Sequence, residues 1–224
     1  MKNRFSDCSA LLFIDFQYCY AMEDNFKTAD WQDIVGNAKK ILTVGRSRRV
    51  PCIFLRMWRD PNGKNAHRHD PRDQKGRPIC AVAGTQEAQI VDDLQPGRGD
   101  IIVDKQRFSG FFETDLEQIL NRMGIKHLII SGVSTEQCVL ATVFDAFFRG
   151  YDITVVKDAC GTGSKAAHMT TILNMANWIY GCRIIAAEQA VKALRDQPFR
   201  AWSWIQPNRF AYSAATIEEM YHQI

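Results

Sequence analysis

The chain has 224 residues, 46% apolar and 24% charged, which fits one domain, alone or with an appendage, of ordinary globular composition. A net charge of +3 with no dense Lys/Arg run argues against a polyanion binder, so no nucleic-acid partner is expected. No apolar run approaches the roughly 18 residues of a membrane span, so no membrane partner is expected either.

The amino terminus, MKNRFSDCSALLFIDF, has basic residues before an apolar run and is superficially like a secretory signal. The run is short and Asp15 interrupts it, so it reads as a first strand. The cysteines are Cys8, Cys19, Cys52, Cys80, Cys138, Cys160 and Cys182. They are odd in number and form no C-x-x-C pair. Several lie inside apolar runs, where a thiol behaves as a small apolar side chain. A reducing, cytoplasmic compartment without a disulfide framework is the expectation. The ligand spacing of a structural zinc site is missing.

In chain order, a strand at 10–16 precedes a helix at 31–48 and a strand at 50–57. After a strand at 100–103 come a helix at 112–123, a strand at 127–132 and a helix at 135–149. Strands at 153–156 and 183–187 then alternate with helices at 165–179 and 188–195. The strands are rich in Ile, Leu and Val without period-2 alternation, as in parallel strands covered on both faces. Such alternation implies an α/β fold with a parallel sheet. Two regions stand apart. Residues 58–99 form a long polar connection with Asp-Pro, Asn-Gly, Lys-Gly and Pro-Gly signals, read as loop. Residues 1–195 are expected to form the domain. Residues 196–224 form an aromatic-rich extension with Trp202, Trp204, Phe210, Tyr212 and Tyr221, packing on the domain or on a neighbouring subunit.

In open parallel sheets, ligands bind outside the carboxyl ends of the strands. Those exits hold Asp15, Lys105 and, after the strand at 127–132, the stretch Val133-Ser134-Thr135-Glu136-Gln137-Cys138. Ser134 to Gln137 fits the capping-box pattern, which predicts a helix start with Cys138 in its first turn. The positive end of the helix dipole there favours a thiolate. The N–H groups of that turn suit an oxyanion formed when sulfur adds to a carbonyl. Singly, each residue has an ordinary alternative: a space-filling cysteine, a loop-capping carboxylate, a solvated lysine. The case rests on the three together.

At these residues the sequence resembles the isochorismatase-like cysteine hydrolases, over roughly 10–190. The segments ALLFIDFQ, DKQRFSGFFETDLEQIL and LIISGVSTEQCVLATVFDAFFRGYDITVVKDACGT match the family's three ordered motifs. The resemblance implies Cys138 as nucleophile, Asp15 as general base, and Lys105 holding the thiolate and orienting Asp15. It implies a cis Val133–Ser134 peptide, and an oxyanion hole from the Ser134 and Cys138 N–H groups. The implied fold is a three-layer α/β/α sandwich around a six-stranded, mainly parallel sheet of order 3-2-1-4-5-6. In that order the third strand lies at the edge, so Lys105 must be carried inward by its loop.

The family's vinyl-ether hydrolases lack the cysteine, so Cys138 favours the amidase branch and a small-molecule amide substrate. Nicotinamidases carry a D-x-H metal motif; here Asp60 is followed by Pro61 and Asn62. His67, Arg68, His69 and Asp70 therefore read as a polar loop, and neither metal nor other cofactor is expected. The wording around Arg107 and Thr114 is most similar to ureidoacrylate hydrolases, which implies a ureide or carbamoyl substrate and ammonia release. Phe16, Gln17, Trp58, Arg59, Arg107 and Phe108 are the candidate substrate contacts, Arg being suited to gripping a carboxylate. Phe144 is a further candidate for the pocket wall. The family commonly forms dimers and tetramers, so a homo-oligomer is expected. The alternatives are a nicotinamidase-type amidase, a catalytically silent scaffold of the same fold, and a papain-like pairing of Cys138 with one of His67, His69, His127, His168 and His222.

Overall fold

In β1 (Ser9–Ile14), six consecutive residues are buried, and alternate side chains serve opposite faces of the sheet, as the strand period requires. Leu11 and Phe13 join one apolar cluster, and Ala10, Leu12 and Ile14 join the other. The computed structural model describes residues 5–22, 26–206 and 211–224. Its sheet runs β3-β2-β1-β4-β5-β6-β7, with β2 (Cys52–Met57), β3 (Ile101–Lys105), β4 (His127–Val133), β5 (Asp152–Gly161) and β6 (Arg183–Ile185) parallel to β1. Order and layers match the expectation. The difference is a seventh strand, β7 (Trp202–Ser203), antiparallel to β6. Two residues are too few to show a periodicity, so nothing in the sequence marks them.

One face of the sheet is covered by α2 (Trp31–Ser47) and α6 (Ala187–Leu194). Buried Ile34, Val35, Ala38, Ile41, Leu42 and Gly45 recur at the spacing of one helical face in α2. The other face is covered by α3 (Leu116–Arg122), α4 (Leu140–Phe148) and α5 (Lys165–Trp178). The last helix, α7 (Ile217–His222), packs Ile217, Met220 and Tyr221 against the same cluster. From 196–224, Trp202 and Tyr212 also pack against that cluster, whereas Ile205 is exposed; Phe210 is outside the described residues. A four-residue helix, α1 (Cys19–Met22), follows β1.

The connection 58–99 has little regular structure beyond a single 3-10 turn at Asp92–Leu94. It is pinned nonetheless: Cys80, Ala81, Ala88, Ile90, Val91 and Leu94 are buried. Helix α3 begins later than expected, because Glu113 adopts a left-handed φ of 53° that no helix accommodates. The helix expected at 135–149 is divided into one π-helical turn, Thr135–Val139, followed by α4.

Candidate active site

The site is assembled where β1, β3 and β4 end. Just past β1, Asp15 takes a left-handed φ of 54°, which turns its carboxylate over the end of β2. Asp15 Oδ1 accepts the Met57 N–H at 2.9 Å, and Oδ2 accepts from Lys105 Nζ at 2.7 Å. Lys105 is the last residue of β3, directly opposite Met57 of β2. Its own side chain spans β2, with no inward loop, because four methylenes cover the distance to a second neighbouring strand. The ammonium donates also to Cys138 Sγ at 3.3 Å and to the Arg107 carbonyl at 3.3 Å. Its three donors are thereby used. Asp15 and Lys105 are 0% exposed and Cys138 is 2% exposed.

Cys138 is presented by the π turn after β4. Gly132, with φ 145°, lets β4 approach β1 closely: a Cβ there would come within 2.3 Å of the Ile14 carbonyl oxygen. The Val133–Ser134 peptide is cis. Ser134 is extended and makes no side-chain cap, so the expected capping box is not formed. In the same turn, Glu136 Oε1 accepts from Thr162 Oγ1, just past β5, at 2.7 Å. Thr142, four residues after the cysteine, donates to the Cys138 carbonyl at 2.7 Å and accepts the Gly110 N–H at 3.0 Å. That bond ties the turn to the 109–114 segment. Its signal was available, since Thr bonding back to the carbonyl four residues earlier is a recurrent helical pattern.

The electrostatics correct the expected thiolate. Burial, with the Asp15 charge adding to it, pushes the Cys138 thiol up to about 12; Lys105 only partly opposes this. Burial also disfavours the Lys105 ammonium. The Asp15 and Cys138 charges and hydrogen bonds outweigh it and raise the Lys105 pKa. Lys105 Nζ thus lies between the Asp15 carboxyl and a thiol whose ionisation burial disfavours, and with one buried cation in the site a second anion is disfavoured. Tyr20, buried beside the site, has its phenol raised by burial and by Asp15 and Cys138; nothing in the sequence marked it.

A cavity of about 480 Å³ is lined by Met57, whose N–H bonds Asp15, and by Arg59, His67, Asp70, Arg107 and Phe108; Asp15, Lys105 and Cys138 themselves do not line it. The six candidate substrate contacts therefore separate. Arg59, Arg107 and Phe108 line the cavity. Trp58 lies under the Arg56 guanidinium, 3.7 Å from its ring centre. Phe16 is 1% exposed and packs with Phe13 and Trp31 on the α2 face. Gln17 is consumed by backbone: its Nε2 donates to Met57 O at 2.8 Å and Ala88 O at 2.7 Å, and its Oε1 accepts the Met57 N–H at 2.9 Å. Phe16 and Gln17 are corrections with one cause, the left-handed turn at Asp15, which directs the next two side chains into the scaffold. Phe144 packs against the core and Phe148.

Asp70 accepts the His67 N–H at 2.9 Å and lies 3.8 Å from Arg59 Nε. Among the described residues, no group of three or more His, Cys, Asp and Glu side chains is arranged to hold a metal ion. His127 bonds Ser9 and Thr154, and His168 bonds Thr135 and Tyr221; neither reaches Cys138. No helix among the described residues is long and apolar enough to cross a membrane.

Known proteins share this architecture and part of the sequence. Residues 9–189 match the isochorismatase domain model. The ureidoacrylate amidohydrolase RutB of Yersinia enterocolitica is 33% identical over 173 residues, covering 69% of this chain and 75% of that protein. The protein of the same name from Enterobacter sp. is 32% identical over 187 residues, covering 75% and 81%. Among solved structures, an isochorismatase family protein from Desulfovibrio vulgaris superposes with a TM-score of 0.77 at 27% identity, covering 87% of this chain and 98% of that one. The chain belongs to the isochorismatase family.

Proposed function

We propose that the protein is a cysteine-dependent amidohydrolase that cleaves a C–N bond of a small ureide or carbamoyl compound, forms an acyl-enzyme on Cys138 and releases ammonia. The observation that carries the proposal is the placement of Lys105 Nζ, 2.7 Å from Asp15 and 3.3 Å from Cys138 Sγ, in a site closed to solvent. Since a lone thiolate is disfavoured there, the Cys138 proton passes to Asp15 as Sγ bonds to the carbonyl carbon. Lys105 then faces the new anion, and the charge of the site stays constant. The carbonyl oxygen becomes an oxyanion facing the Ser134 and Cys138 N–H groups. As the C–N bond breaks, Asp15 returns the proton to the departing nitrogen, which leaves as ammonia. Water, deprotonated by Asp15, adds to the thiocarbamate; the C–S bond breaks, the thiol recovers its proton, and a carbamate leaves.

The ureide class is supported by the identity to proteins named ureidoacrylate amidohydrolase and by Arg59 and Arg107 at the cavity wall, suited to a substrate carboxylate. A homo-oligomer is part of the same proposal, supported by exposed Phe148, Trp178 and Tyr180. So is the cytoplasmic setting expected from the cysteine pattern. The test is an ammonia-release screen over ureidoacrylate, N-carbamoyl amino acids, biuret and nicotinamide, with Cys138→Ser as control. At least one carbamoyl compound is expected to turn over without added metal. Activity confined to nicotinamide and lost on chelation would refute the proposal.

A further inference from the structure

The turn that presents Cys138 lacks its local cap, and its first residue is held from elsewhere. Thr135 is 0% exposed, and its Oγ1 lies 2.9 Å from Nδ1 of His168 on α5. His168 Nε2 lies 3.1 Å from the hydroxyl of Tyr221 on α7. Tyr221 is fixed in turn by Lys157 of β5. The Lys157 ammonium lies 4.6 Å from the ring centre and donates to the Tyr221 carbonyl at 3.2 Å and to the Ile224 carbonyl. Burial pushes His168 down to about 4, with Lys157 adding to it, and pushes the Tyr221 phenol up to about 12. At neutral pH both are therefore uncharged. One imidazole nitrogen donates and the other accepts, and either tautomer closes the chain of bonds.

We infer that His168 and Tyr221 are positioning residues for the catalytic turn, an inference that rests on the role proposed above for Cys138. Neither touches the reacting atoms. They hold the Thr135 hydroxyl, and through it the backbone that carries the Ser134 and Cys138 N–H groups. Packing alone does not require such a chain: α7 already buries Ile217 and Met220, and apolar groups of the same shape would serve there about as well. What the polar chain adds is one defined orientation of the Thr135 hydroxyl, three residues before the nucleophile.

The test compares Tyr221→Phe, His168→Leu, Thr135→Val and the Thr135→Val/Tyr221→Phe double variant, with Lys165→Ala as control. Lys165 forms an exposed ion pair with Glu218 at 2.7 Å across the same α5–α7 contact, and such pairs contribute little. The readouts are kcat, KM, Tm and the rate of Cys138 alkylation by iodoacetamide, resolved by peptide mass from exposed Cys8. Tyr221→Phe is expected to lower kcat by about threefold to tenfold and to shift Cys138 alkylation by at least about threefold, with KM within about twofold. The double variant should lose no more than the larger single one, because one chain of bonds is broken twice. Lys165→Ala should leave every readout unchanged. Folded Tyr221→Phe and His168→Leu with wild-type kcat and alkylation, losing only Tm, would overturn the inference. Should His168→Leu fail to fold, Tyr221→Phe, which removes one oxygen, still decides it. Should the wild type hydrolyse no amide, the alkylation arm decides it alone, so failure of the amidase reading is distinguishable from failure of this one.

Discussion

The triad and the cavity beside it are built on opposite plans. Asp15, Lys105 and Cys138 are essentially unexposed; Asp15 and Cys138 follow the ends of the neighbouring strands β1 and β4, and Lys105 reaches in from the end of the edge strand β3. The cavity wall comes largely from the 58–99 connection and the 105–112 segment, with Phe108 51% exposed and Phe112 48% exposed. Strand ends supply the first, whereas loops supply the second. On the proposed function, the strand ends would carry the reacting groups and the loops the substrate contacts.

Substitutions in the triad should have the largest consequences. Cys138→Ser should lower turnover by roughly 10⁴-fold or more, because the hydroxyl is far less acidic than the thiol and the site offers one cation for one anion. Steady-state ammonia release reads it. Asp15→Asn should likewise abolish measurable turnover. It should also destabilise the fold by about 3–5 kcal/mol in urea unfolding, since it leaves Lys105 buried beside a neutral amide. The double variant Asp15→Asn/Lys105→Met should regain much of that stability and none of the activity. Recovery of turnover would remove the pair from the chemistry.

On the cavity side, Arg59→Ala should raise KM for a carboxylate-bearing ureide about tenfold with kcat little changed, and leave stability within about 1 kcal/mol. A kcat loss equal to that of Asp15→Asn would erase the proposed division between the two regions. A separate effect concerns acid. His127 and His168 are both held down to about 4, in each case mainly by burial, so the folded state binds fewer protons than the unfolded one between about pH 4 and 6.5. Their contribution is therefore complete above pH 6.5 and is lost as pH falls toward 4, by roughly 3 kcal/mol for each. Urea unfolding at pH 7 and pH 5 captures about 2 kcal/mol of that loss per histidine, and a curve flat across that window would show that neither is held neutral.

The α/β alternation and the carboxylate at position 15 were legible from local causes, whereas the layers, the strand order and the grouping of Asp15, Lys105 and Cys138 were legible only through the family resemblance. A carboxylate placed directly after ALLFI is costly to bury without a partner, and apolar runs without alternation mark strands covered on both faces. The features that were not legible depend on backbone geometry that composition does not encode. The left-handed turn at Asp15 sends Phe16 and Gln17 into the scaffold. The turn after Ser134 is π-helical and the Ser134 side chain makes no cap, so the apparent Ser134–Gln137 capping box is unmade. The thiol was expected low from its place in a helix and is raised, because complete burial beside Asp15 outweighs Lys105. Strand β7 and the Thr135–His168–Tyr221 chain join residues far apart in sequence, with no motif at either end.

Whether sulfur, carboxylate and ammonium act as one centre is decided by acid-quenching the enzyme during turnover of a carbamoyl substrate and mapping covalent adducts by peptide mass spectrometry. A carbamoyl-type adduct is expected on the peptide bearing Cys138 in the wild type and none in Cys138→Ser. An adduct on another residue, or undiminished turnover by Cys138→Ser, would contradict that assignment.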